Sequence, residues 1–176
     1  NAVASGSPLK QKIFHWALQA KLHELQHYGL YRHPVWDRLV FNKIAAKFGL
    51  DRCVMVGTGS APIAPRTLDM LRVVLRCPVI EGYGQTEGTC TVTIDTPGLE
   101  RCFHFGPQGK LEMAHVGGPT PVYEVKLVDI PEMNYRVSDR DHMGVPVVGR
   151  GEVLYRGPGT MNGYFGMEQK SRETKD

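Results

Sequence analysis

An α/β fold built on a parallel βαβ unit is what the sequence predicts, and three features carry that expectation. The apolar run Cys53-Val54-Met55-Val56 precedes an amphipathic stretch over 65–76, and a second apolar run follows at Pro78-Val79-Ile80-Glu81. Nearly continuous apolar runs suit strands buried on both faces, and the interval between them has room for a crossover helix. Upstream the apolar residues recur at helical spacing, whereas downstream of residue 89 short β-prone runs alternate with Gly/Pro stretches. The chain thus divides into a helical segment over 7–50, a βαβ unit over 51–95 and a β- and loop-rich segment over 96–176. All three are expected to belong to one partial domain.

Each element has its own local cause. Residues 9–28 present Phe14, Leu18, Leu22 and Leu25 on one stripe after the start signal Ser7-Pro8, and Gly29 stops the helix. A second helix follows His33-Pro34, with Trp36, Val40, Ile44 and Phe48 at steps of four and Gly49 closing it. The first strand, 53–56, ends at Gly57. Leu68, Leu71, Val74 and Leu75 mark the apolar stripe of the helix over 65–76. Later strands are predicted at 91–94, 122–128 and 152–155. The connections 97–121 and 130–151 are longer than compact domains usually tolerate, so at least one further element is expected inside them.

Composition narrows the function classes. The 176 residues are 41% hydrophobic and 22% charged, with 21 basic and 18 acidic side chains giving a net charge of +3. No run of Lys and Arg is dense enough for a nucleic-acid interface. The four cysteines, Cys53, Cys77, Cys90 and Cys102, form no C-x-x-C pair, which argues against a zinc ribbon and a disulfide framework. Free thiols in a reducing, intracellular setting are expected. Apolar runs stay too short for a signal peptide or a transmembrane span, so any membrane contact is expected to be peripheral.

The stretch Glu81-Gly82-Tyr83-Gly84-Gln85-Thr86-Glu87-Gly88 begins where the second apolar strand ends, the place where open α/β sheets bind ligands. Gly82 and Gly84 permit tight turns and close approach of backbone N–H groups to phosphate. Tyr83 offers a ring on which a purine can stack. The Thr86 hydroxyl can donate to a phosphate oxygen, and the Glu87 carboxylate can bind Mg²⁺. Spacing alone fits equally well a glycine-rich turn whose Tyr and Thr serve only local packing.

The wider pattern separates these readings. Gly82-Tyr83-Gly84-Gln85-Thr86-Glu87 resembles the Y-G-x-T-E motif of the adenylate-forming enzymes. Thr58-Gly59-Ser60-Ala61-Pro62 is similar to that family's small-residue turn. Gly151-Glu152-Val153-Leu154-Tyr155-Arg156-Gly157 and then Met161-Asn162-Gly163-Tyr164 resemble its G-E-V strand and G-Y turn. Trp36-Asp37-Arg38-Leu39-Val40-Phe41 and Val128-Asp129-Ile130-Pro131-Glu132-Met133-Asn134-Tyr135 are similar to the long-chain acyl-CoA synthetase branch.

The resemblance implies a fragment of the large N-terminal domain of an AMP-forming ligase. Such an enzyme uses ATP and Mg²⁺ to turn a long-chain fatty acid into an acyl-adenylate, then passes the acyl group to CoA. Carried over by position, it implies that Tyr83 stacks on adenine against Ser60, Ala61 and Pro62. Gly59 opens that turn, and Glu81 and Gly82 lie at the adenine edge. Gln85 completes the motif beside Gly84. Thr86 would hold the α-phosphate and Glu87 would ligate Mg²⁺, making these two the catalytic candidates. Association with an organelle membrane is compatible with so insoluble a substrate.

The family's lysine-bearing phosphate loop, T-G-D motif and lid lysine have no match in the sequence, so an internal piece unable to turn over alone is expected. The stretch 99–112 is longer than the corresponding family loop, and the basic-rich 136–150 matches nothing.

The main rival is a zinc metallohydrolase. His23-Glu24-Leu25-Gln26-His27 is an H-E-x-x-H on a predicted helix, with His33 at the spacing of a third ligand and Glu24 as the general base. Leu30 stands where the extended motif needs glycine, and only 22 residues precede His23. A serine hydrolase is weaker, because Ser60 lacks the glycines two positions to either side that a nucleophile elbow requires. A non-catalytic nucleotide- or acyl-binding relative is the third class. His104, His115 and His142 are expected to be ordinary loop or core histidines.

Overall fold

The computed structural model describes residues 7–89, 91–95 and 115–175, and the chain divides into two compact units. The first comprises 1–82 and 95–117, the second 83–94 and 118–176. The expected loop over 99–112, with Cys102 and His104, lies outside the described residues, as does Cys90.

In the first unit α1 (Pro8–Tyr28) begins with proline at its first turn and ends at Gly29, whose φ of 66° closes it in the left-handed conformation. Leu18, Leu22 and Leu25 of its stripe pack on α4 (Pro65–Leu75), while Phe14 meets the Phe41 ring and the fully buried positions are Ala17, Lys21 and Leu25. Leu25 and Val73 are buried together, with Leu18, Leu22, Tyr31 and Val74 around them. The buried face of α4 is turned slightly from the expected one: Leu68, Arg72, Val73 and Leu75 are buried while Leu71 is half-buried.

The second predicted helix is interrupted. After α2 (Pro34–Trp36) the chain makes a π-turn over Asp37–Phe41, in which the Asn42 N–H reaches back to Asp37 O, before α3 (Asn42–Lys47) resumes. The extra residue in that turn brings Asp37 and Phe41 to a lysine whose side chain is fully buried. Lys21 donates to Asp37 Oδ1 and to Val73 O (2.6 Å), and its Nζ lies 4.6 Å from the centre of the Phe41 ring. Burial pulls its pKa below the ordinary lysine value, against the opposing hydrogen bond to Asp37.

The βαβ unit is present, but its first strand is displaced. β1 spans Val56–Thr58 rather than 53–56, and it pairs in parallel with β2 (Val79–Tyr83) in the register Val56↔Val79, Gly57↔Ile80, Thr58↔Glu81. Val54 is 80% exposed, so the apolar run ahead of β1 is not buried on both faces. Beneath β2, Arg72 donates to Val79 O (3.0 Å) and pairs with the buried Asp95 at 3.3 Å. The Asp95 N–H in turn donates to Glu81 O (2.9 Å). Cys53 and Cys77 are free thiols, and burial pushes Cys77 up to about 11.

The second unit is built from short antiparallel pairs. β3 (Thr93–Ile94) pairs with β4 (Gly118–Pro119), and β5 (Glu124–Val128) pairs with β8 (Glu152–Arg156). The long connection over 130–151 does hold further elements. They are a 3₁₀ turn at Pro131–Met133 and a hairpin of β6 (Asp141–His142) and β7 (Val145–Pro146). Met143 and Gly144 both take positive φ there, as a two-residue primed turn requires. The C-terminal segment, expected as β and loop, also contains a helix, α5 (Glu168–Thr174).

Candidate functional site

Gly59, Ser60, Ala61, Pro62, Glu81 and Gly82 belong to the first unit. The parallel register sets Thr58 beside Glu81, so the turn that leaves β1 runs past the carboxyl end of β2. The approach is close. A Cβ on Gly59 would stand 3.1 Å from Gly82 O, tighter than side chains ordinarily tolerate, which gives that glycine a steric reason. Ser60 adopts a φ of 70°, unusual for a residue with a side chain, and Ala61 and Pro62 are exposed. Glu81 is only 5% exposed, and its Oε1 accepts the Ile63 N–H at 3.2 Å. Its carboxylate therefore anchors the far end of the 59–62 turn.

Tyr83, Gly84, Gln85, Thr86 and Glu87 belong to the second unit. Gly82 and Gly84 do not use positive φ; the left-handed residue of this segment is Thr89, which caps a 3₁₀ turn at Thr86–Gly88. Tyr83 is half-buried, and its hydroxyl accepts from Gln85 Nε2 (2.9 Å). Thr86 is exposed at the start of the turn.

Glu87 is held twice by one segment: the Met161 N–H donates to its carbonyl (2.7 Å), and the Tyr164 hydroxyl donates to its Oε1. The Tyr164 hydrogen bond, with Glu87's own backbone N–H, keeps the carboxyl below the usual range, while the same hydrogen bond raises the Tyr164 phenol.

The 3₁₀ turn rests on two tyrosines. Tyr123 O–H donates to Gly88 O (2.6 Å), and its ring meets Tyr155 edge-on at 5.7 Å. A Cβ on Gly88 would lie 2.7 Å from Tyr155 Cε2, so only glycine allows the ring this close. Thr89 Oγ1 also donates to Gly159 O (2.5 Å). Sequence reasoning assigned no role to Gly88, Tyr123, Tyr155 or Tyr164, although Tyr155 and Tyr164 lie in or beside the G-E-V and G-Y motifs.

The side-chain atoms of the 85–87 stretch able to ligate a cation are all oxygens: one carboxylate, one hydroxyl and one amide oxygen. That set suits a hard cation that keeps most of its ligands as water and phosphate, as Mg²⁺ does, better than it suits zinc. The histidines fit a zinc centre poorly. His23 and His27 stack at 4.0 Å, and His27 Nδ1 lies 2.9 Å from His23 O. His33 Nδ1 accepts from the Val35 and Trp36 N–H groups, capping α2, and its Nε2 stands 3.7 Å from Glu24 Oε1. Among the described residues no three His, Cys, Asp or Glu side chains gather as a metal would need.

With a parallel pair ending in a glycine-bearing turn, and a threonine and a glutamate placed just beyond it, the chain belongs to the AMP-binding enzyme family, which matches residues 5–165. It is 38% identical over 176 residues to the peroxisomal long chain acyl-CoA synthetase 6 of Arabidopsis thaliana, covering 100% of this chain and 22% of that protein. It is 36% identical over 173 residues to the long-chain-fatty-acid–CoA ligase 6 of Homo sapiens, covering 98% of this chain and 22% of that protein. The chain thus spans under a quarter of the length of these relatives. In fold it is similar to the A domain of a carboxylic acid reductase from Segniliparus rugosus in complex with AMP and a co-purified carboxylic acid. The TM-score is 0.55 at 23% identity, over 94% of this chain and 22% of that one.

Proposed function

We propose that the protein carrying this chain activates long-chain fatty acids to acyl-CoA thioesters through an acyl-adenylate, and that this chain supplies part of the ATP and Mg²⁺ site. The observation that supports the reading most is the turn at 81–88, with Glu87 held by the 161–164 segment, in a chain 38% identical to a long chain acyl-CoA synthetase.

In the first step a carboxylate oxygen of the fatty acid attacks the α-phosphorus of ATP, and the bond to pyrophosphate breaks. In the second the CoA thiol, losing its proton, attacks the acyl carbon and AMP leaves. Tyr83 offers its ring to the adenine, and the Ser60-Ala61-Pro62 turn is a further adenine contact. Gly59 keeps the turn short, while Glu81 and Gly82 border the adenine edge; the buried Glu81 acts there by holding the turn. Gly84 and Gln85 shape the approach to the phosphates, Thr86 donates to the α-phosphate, and Glu87 holds the cation. Mg²⁺, when bound, neutralises charge building on the phosphates.

No described helix is long and apolar enough to cross a membrane. Peripheral association with an intracellular membrane is part of this proposal, argued from the substrate's insolubility.

Thr86→Ala and Glu87→Ala in the full-length protein should each suppress fatty-acid-dependent ATP–pyrophosphate exchange by about a hundredfold while the fold is retained. Unchanged exchange in both variants would remove the site assignment.

A further inference from the structure

The 161–164 segment does more than follow Glu87 in space. Its Met161 N–H fixes the Glu87 backbone, and its Tyr164 hydroxyl fixes the carboxylate. The other side of the segment is bolted to α5. The Tyr164 N–H donates to Ser171 Oγ (2.8 Å), Ser171 O–H donates to Met167 O (2.8 Å), and Lys170 Nζ stands 4.5 Å from the centre of the Tyr164 ring. Lys175 Nζ adds a bond to Asn162 O (2.9 Å). The phenol is thereby held from both sides.

We propose that Tyr164 is a positioning residue for Glu87, fixing the rotamer in which its carboxylate meets the divalent cation and so setting the cation affinity of the site. This rests on the ATP and Mg²⁺ reading above. A carboxylate on a flexible side chain loses rotamer freedom on binding a cation, and a donor that fixes it beforehand removes that cost. A phenylalanine would keep the ring beside Lys170 and the backbone bond to Ser171. Tyr164→Phe therefore deletes the Glu87 hydrogen bond and, with it, the phenol's hydrogen bond with Thr174.

The test uses the full-length protein in its wild-type, Tyr164→Phe and Glu87→Gln forms. Two quantities are read: Mn²⁺ binding by electron paramagnetic resonance with a non-hydrolysable ATP analogue, and the Mg²⁺ dependence of ATP–pyrophosphate exchange. Tyr164→Phe should weaken Mn²⁺ binding and raise the half-saturating Mg²⁺ by about tenfold, with a smaller change in kcat at saturating Mg²⁺. Glu87→Gln should weaken Mn²⁺ binding further.

If Glu87→Gln weakens Mn²⁺ binding and folded Tyr164→Phe does not, the role of Tyr164 is overturned while the site assignment stands. If Glu87→Gln leaves Mn²⁺ binding intact, the metal assignment itself fails and the role of Tyr164 fails with it. Should Tyr164→Phe not fold, Ser171→Ala keeps the phenol but frees its backbone. A shift of about threefold in the same direction is then expected, and no shift would overturn the proposal.

Discussion

Replacing Lys21 with methionine removes one charge from the first unit and keeps most of the side-chain volume. The ammonium makes a charged hydrogen bond to Asp37 and a second to Val73 O at 2.6 Å, with the Phe41 ring at 4.6 Å. Methionine leaves Asp37 with the His33 N–H at 2.9 Å as its remaining partner in this group, and leaves the Val73 carbonyl without its lysine. Losing one side of a buried pair costs about 3 kcal/mol. Asparagine at 37 keeps an acceptor for His33 and carries no charge. Lys21→Met with Asp37→Asn should therefore recover about 2 kcal/mol of that loss, a coupling read from a double-mutant cycle. Thermal unfolding of the four proteins measures it. A Lys21→Met variant within about 0.5 kcal/mol of wild type, or a double variant no more stable than Lys21→Met, would refute the pairing.

The same lysine gives a pH dependence. Its folded pKa lies below the ordinary 10.5, so as pH rises towards 10.5 the folded state releases its proton before the unfolded state does. The unfolded state then binds more protons and stability rises with pH. The wild type should gain stability relative to Lys21→Met over that alkaline window, and a flat or falling difference in paired melts would contradict the burial. Gly88→Ala sets a methyl against the Tyr155 ring, where a Cβ stands 2.7 Å from Cε2, and overpacking of that kind costs about 1–3 kcal/mol. ATP-analogue affinity should fall with it and recover partly when Tyr155 is also changed to leucine; unchanged affinity in Gly88→Ala would count against the support assigned to Tyr155. Glu81→Ala frees the Ile63 N–H and should weaken nucleotide binding several-fold through a loosened 59–62 turn, whereas Glu81→Gln, which keeps an acceptor, should do so less. Calorimetric titration with the analogue distinguishes the two, and equal affinities would remove the anchoring role.

The helices were legible in the sequence because their signals are local. Ser7-Pro8 and Gly29 bracket α1 to within a residue, and Leu18, Leu22 and Leu25 of the expected stripe do meet α4, although the fully buried face is centred on Ala17, Lys21 and Leu25. The π-turn was not legible, since one extra residue in a helix changes no composition and is fixed by Lys21, which lies 16 positions from Asp37. Strand β1 was misplaced for a related reason: Val54 and Met55 have the hydrophobicity of a buried strand, but pairing with β2 begins only at Val56. Buried Arg72 reverses the usual polarity rule because Asp95 and the Val79 carbonyl satisfy it.

At the site, motif resemblance singled out the residues of the 81–87 turn, and Tyr155 and Tyr164 in or beside the G-E-V and G-Y motifs, but gave no contact between these tyrosines and the turn. Tyr123 contacts Gly88 from 35 positions away, Tyr155 and Tyr164 contact Gln85 and Glu87 from 70 and 77, and single aromatics in loops and short strands carry no periodic signature. Their partners are a carbonyl, an amide oxygen and a carboxylate, contacts that only the folded chain brings together.

The most direct test of the central claim is ATP–pyrophosphate exchange by the full-length protein with Mg²⁺, with and without a long-chain fatty acid such as palmitate. Exchange that depends on the fatty acid and is lost in Thr86→Ala and Glu87→Ala is the result expected of an adenylate-forming site at the 81–87 turn. No exchange with any acyl substrate, in a protein that still melts cooperatively, would contradict it.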